Sequence, residues 1–135
     1  MKSRDTLIRL RRFQVDEKRR RVTQIEMMMA DFLRMAQELD REIAQEEARA
    51  GISDTAHFAY PTYARAAAGR RDNMRQSAAA LEDQLAEAKA ELGVAFEDLK
   101  KVEILDDRER SAERAAEAAR EQAAMDGIGL GRARA

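Results

Sequence analysis

The chain has 135 residues, a formal charge of −1, 38% charged and 4% aromatic residues, and a single proline. This balance argues against a compact globular core and matches the Ala, Glu, Lys, Leu and Arg bias of long helices and coiled coils. The absence of cysteine excludes disulfides and thiolate metal sites and fits a reducing compartment. No apolar run approaches the roughly 20 residues that span a bilayer, and the basic start MKSRDTLIRLRRF lacks the apolar core of a secretory signal. A soluble intracellular protein is the expectation.

In chain order, the first predicted element is a helix over about residues 4–49. Ile8, Val15, Val22, Met29, Ala36 and Ile43 recur every seven residues, with Arg11, Lys18, Ile25, Phe32, Leu39 and Glu46 three positions further on. From Val22 to Ile43 these rows form an apolar seam without a charge. Arg11 and Lys18 loosen it towards the N-terminus. Met29 falls on the seam and is expected to fill the core; Met27 and Met28 fall off it, where core filling and an adaptable partner surface are equally open.

Residues 50–60 are predicted as a turn. Gly51 suits a helix C-terminus, Pro61 suits the first turn of the next helix, and Ser53, Asp54 and Thr55 offer capping oxygens between them. A second helix follows over about 61–125, with one row of Ala64, Arg71, Ala78, Leu85, Leu92 and Leu99 and another of Ala67, Met74, Leu81, Ala88, Ala95 and Val102. Two seams and one short break imply an all-α fold, two long helices in an antiparallel coiled-coil hairpin over residues 1–126. Bulky residues of the first helix then face alanines of the second. The second helix overshoots the first, so the apolar seam is expected to end at Leu99, Val102 and Leu105. The polar stretch DDRERSAERAAEAAREQAA overhangs, and 127–135, with three glycines, is expected to be a disordered tail.

Charge is unevenly placed. Residues 1–21 hold nine Lys or Arg against Asp5, Asp16 and Glu17, a balance of +6, which leaves −7 for the remainder of a chain of net charge −1. Two readings follow: the basic arm forms salt bridges with the acidic stretch Asp106 to Glu117, or it presents cations to an acidic protein, to phosphates or to a membrane. Chemistry finds little support. There is no phosphate loop, His57 is the only histidine, and a two-helix hairpin gives Ser53 and His57 no pocket or oxyanion donors. No catalytic, metal or cofactor-binding residue is predicted, and the chain is not expected to be an enzyme.

The N-terminal KSRDTLIRLRRFQVDEKRRRVTQIEMMM, followed by a heptad hairpin whose second helix begins near HFAYPTYARAAAGRRDN, resembles the flagellar export protein FliJ family, particularly its alphaproteobacterial branch, over about residues 2–105. The resemblance implies a two-helix stalk of the flagellar type III export apparatus, without cofactors. Its implied partners are the hexameric export ATPase, the cytoplasmic domain of the membrane export gate, and export chaperones. Nucleic acid is not expected, and association with the cytoplasmic face of the membrane would be peripheral, through those partners. Carried onto this chain, the ATPase-ring contact corresponds to Arg9, Arg11, Arg12, Arg19 and Arg20, and the export-gate contact to Phe58, Tyr60 and Tyr63. The turn is shorter than in enteric relatives and the second helix starts rich in alanine, which puts individual gate contacts in doubt. The residues alone also leave open a basic-armed binder of membrane or nucleic acid, and a plain coiled-coil oligomer.

Overall fold

The computed structural model describes residues 2–134, with side chains for 3–131. The chain is helical: α1 spans Lys2–Ala50, α2 Thr62–Ala80 and α3 Glu82–Arg134. It divides into two compact units, one of residues 16–93 and one combining 1–15 with 94–135.

The unit of residues 16–93 is an antiparallel hairpin. Near its turn Ile43, Tyr60, Ala64 and Ala67 are buried together, with Leu39, Ile52 and Ala68 packed around them. Further along, Val22, Ile25, Leu81 and Ala88 form a second cluster flanked by Met29, Phe32, Leu85 and Leu92. Ala64 and Ala67 are wholly inaccessible, so branched and bulky residues of α1 lie directly over alanines of α2, as the size pattern predicts. Met29 packs on the core, whereas Met27 and Met28 are 62% and 46% exposed.

The turn is built from its own hydrogen bonds. Gly51 closes α1 at φ 69°, a left-handed conformation that glycine adopts without a Cβ penalty, and its N–H donates to the Glu47 carbonyl. Asp54 caps the loop: its Oδ1 accepts from the Ala56 N–H at 2.9 Å, and its carbonyl accepts from the His57 N–H. Pro61 stands at the N-cap of α2, one position before the first helical residue, Thr62.

The second helical run contains an interruption without a breaker residue. The Leu81 N–H donates to the Ala78 carbonyl, a tight three-residue turn separating α2 from α3. Its side chain stays in the seam at 9% exposure. Every residue from Ala64 to Val102 on the two predicted rows is buried or half-buried, so the tightening leaves the contact face intact.

The other unit lays the start of α1 antiparallel to α3. Ile8, Val15 and Ala95 are buried and Leu99 and Val102 half-buried. The seam does not end at Leu105, which is 56% exposed; the next residue on the heptad row, Asp106, is 7% exposed. From Asp107 to Gly131 every residue of α3 is exposed, and the helix continues through Arg134 past the glycines that suggested a disordered tail. A glycine costs about 1 kcal/mol relative to alanine, but extending an existing helix carries no nucleation cost.

Candidate partner-binding surfaces

The arginines at the start of α1 fall into two kinds. Arg4 occupies the heptad row of Arg11 one turn of the repeat earlier, and its guanidinium reaches Asp106 at 3.4 Å, Glu109 at 2.5 Å and Glu113 at 3.1 Å. Hydrogen bonding to Glu109 raises its pKa above the ordinary arginine value. Arg110 adds a link of 3.3 Å to Asp5 and one of 2.9 Å to Asp106. Arg11 donates to Gln14 Oε1 at 3.1 Å and lies 3.9 Å from Asp98; Arg12 lies 3.8 Å from Glu103. No carboxylate among the described residues pairs with Arg9.

On the stretch of α1 within residues 16–93, Lys18 bridges to Glu91 at 3.1 Å and Arg19 lies 3.8 Å from Asp16. Arg20 and Arg21 have no ion-pair partner among the described residues and line a shallow depression with Glu17, Lys18 and Gln24. The salt-bridge reading of the basic arm against Asp106 to Glu117 is thus met by Arg4, whereas Arg11, Arg12 and Lys18 pair with Asp98, Glu103 and Glu91, which precede that stretch. Arg9, Arg20 and Arg21 have no ion pair within 4 Å among the described residues.

The three aromatic candidates at the turn also divide. Phe58 is 96% exposed and stacks on His57 with ring centroids 4.7 Å apart. His57 Nδ1 accepts the Ala59 N–H at 3.0 Å, so the only histidine serves to shape the loop. Tyr60 is 6% exposed, donates its hydroxyl to Glu47 Oε1 at 2.8 Å, and lies under the Arg65 guanidinium. Tyr63 is half-exposed, donates to Glu42 Oε2 at 2.8 Å and lies under Arg70. Both phenols have raised pKa values, first because a carboxylate accepts the hydroxyl proton and then because of desolvation. Accessible ring surface is therefore carried by Phe58 and Tyr63, while Tyr60 is part of the core.

Of two polar clusters, sequence reasoning expected the pairing in the first without its burial, and passed over the second. The first is Arg4 with Asp106, legible as the next members of the heptad rows. The other is Asp40, which accepts from Arg71 at 3.0 Å and Arg75 at 2.8 Å across the hairpin; Arg71 stood on a seam row, but nothing in the sequence pointed to its partner. Among the described residues no His or carboxylate cluster suits a metal ion, and no helix is long and apolar enough to cross a membrane.

The family model described as Flagellar FliJ protein matches residues 1–134. No curated protein and no solved structure gives a significant match.

Proposed function

The chain belongs to the flagellar FliJ protein family and is a component of flagellar type III protein export, and from that premise we propose that it acts as a stalk-like coupling protein at the cytoplasmic side of the export apparatus. In this reading α1 contacts the export ATPase hexamer, the turn contacts the cytoplasmic domain of the export gate, and export chaperones bind the same protein. It catalyses nothing itself. Its effect is allosteric: contact that favours some nucleotide states of the ring over others shifts their populations.

The observation that carries the ATPase contact is that Arg9 and Arg20 are exposed without an ion pair within 4 Å among the described residues, on a helix whose other cations are mostly paired. Of the arginines that family resemblance suggests, these two are most available to an acidic surface; Arg11, Arg12 and Arg19 each have a carboxylate within 4 Å. The double variant Arg9→Glu/Arg20→Glu should reduce stimulation of the cognate export ATPase while far-UV circular dichroism stays unchanged. An undiminished ATPase rate would remove the basic-surface reading.

The gate contact rests on Phe58, an aromatic ring left almost wholly in water at the end of the hairpin. Phe58→Ala and Tyr63→Ala should weaken gate binding at unchanged thermal stability. One observation favours a second reading: Leu7, Leu10 and Phe13 are 40%, 49% and 52% exposed beside Arg9, a composition suited to an anionic membrane surface. Flotation with anionic vesicles that survives removal of the export partners would support it.

A further inference from the structure

We infer that the unit formed by the two chain ends is a charge-held clasp, which opens locally while the hairpin of residues 16–93 stays folded. Its apolar content is thin. Both clusters of buried apolar residues lie within 16–93, and among the described residues of the chain-end unit only Ile8, Val15 and Ala95 are buried apolar ones, with Leu99 and Val102 half-covered. Cross-helix ion pairs supply the rest: Arg4 with Asp106, Glu109 and Glu113, Asp5 with Arg110, Arg11 with Asp98, and Arg12 with Glu103.

The geometry of these pairs makes them a weak fastening. Most involve half-exposed side chains, where solvent screening leaves little net stabilisation and salt removes much of that. The most enclosed pair is incompletely satisfied: Arg4 and Asp106 side chains are 14% and 10% exposed, and their other polar atoms bond Glu109, Glu113 and Arg110, but Arg4 Nε and Asp106 Oδ1, 3.4 Å apart, find no hydrogen-bond partner among the described residues. Arg11 Nε is likewise buried without a partner. For such enclosed charges the desolvation cost offsets much of the mutual attraction. Local opening draws on such low-stability regions.

Opening has a chemical consequence. It releases Arg4, Arg11 and Arg12 from the carboxylates of α3 and uncovers Ile8 and Val15, next to Leu7, Leu10 and Phe13. The acidic face of α3, from Asp98 to Glu113, thus competes within the chain against any acidic partner of α1. This holds whatever that partner is, so it does not depend on the ATPase reading above.

Hydrogen exchange followed by mass spectrometry on the full chain tests the clasp directly. With rates normalised to those of the unfolded chain, residues 5–15 and 94–106 should exchange together, and about fivefold faster at about 0.5 M than at about 0.05 M NaCl. Residues 22–43 should not respond. The pair Arg4→Met/Asp106→Leu, which replaces the buried charges with apolar groups, should cut the salt response of residues 5–15 to less than about twofold. Equal salt responses in the two regions, no response in either, or a variant that keeps the full response would each overturn the inference. If the variant misfolds, the wild-type comparison still decides, because ordinary fraying of a helix end is graded and largely independent of salt.

Discussion

The hairpin of residues 16–93 and the unit of the chain ends use the same heptad spacing to different effect. In the hairpin the seam is apolar and graded in size, with Ile25 at 1% exposure and Ala64 and Ala67 at 0%. In the chain-end unit the equivalent row places Arg4, Arg11 and, just beyond it, Lys18 where apolar residues would stand, and Asp106 closes the opposite row. The period of a pattern fixes which residues face a neighbouring helix; their chemistry fixes how firmly they hold it. One region is therefore built to persist and the other to depend on its surroundings.

The largest effects should come from the hairpin core. Ile25→Ala removes the most enclosed large side chain and should cost about 2–5 kcal/mol, read from urea denaturation. Ala64→Leu should cost about 1–3 kcal/mol by overpacking an inaccessible site. Ile8→Ala, at 9% exposure in the chain-end unit, should cost about 1–2 kcal/mol and leave the hairpin's own transition in place. Both tyrosines lie in the hairpin, so tyrosine fluorescence reports that unit while circular dichroism reports both. The two probes should give non-coincident urea transitions, and coincident ones would erase the distinction between the regions.

Much of this division was legible in the sequence. The rows from Val22 to Ile43 and from Ala64 to Val102 located the contact face, and Gly51 and Pro61 bracketed the turn, because burial repeats with the helical period and turn chemistry is local. Leu81 was not legible: three alanines precede it, and its tight turn forms at a buried seam residue without any breaker. Asp106 was expected to pair with the basic arm but not to be buried on the seam row, since a carboxylate there makes sense only once Arg4 is known to reach it. The candidate site was half legible. Composition singled out the basic arm and the aromatic turn, but which arginines are already paired, and that Tyr60 points inward while Phe58 points out, depend on tertiary register.

A smaller effect would sharpen the role of Tyr60. Tyr60→Phe keeps the ring and removes the hydroxyl that Glu47 accepts, and should lower the melting temperature by about 2–5 °C. The sign of its pH dependence follows from the raised pKa. A group whose folded pKa lies above its unfolded value contributes fully below the unfolded pKa, near ~10 for tyrosine, and loses that contribution as pH rises through the folded value. Stability should therefore fall above about pH 10 more steeply in the wild type than in Tyr60→Phe. Parallel profiles would mean that the Glu47 contact contributes nothing.

The smallest effect concerns the end of α3, where the helix from Arg114 to Gly131 is exposed throughout and its side-chain hydrogen bonds and ion pairs stay within α3. A Cβ at Gly129 would meet nothing within 4 Å, so Gly129→Ala changes helix propensity alone, by at most about 1 kcal/mol. Hydrogen exchange around residues 123–131 should slow severalfold, with no shift in the melting temperature of the hairpin. If exchange there stays at the unfolded rate in both proteins, the segment has too little helix for propensity to act on, and the expectation of a disordered tail would hold in solution. If instead the melting temperature rises, the end of α3 is coupled to the rest of the fold, and the contrast between a persistent hairpin and loosely held chain ends would have to be redrawn.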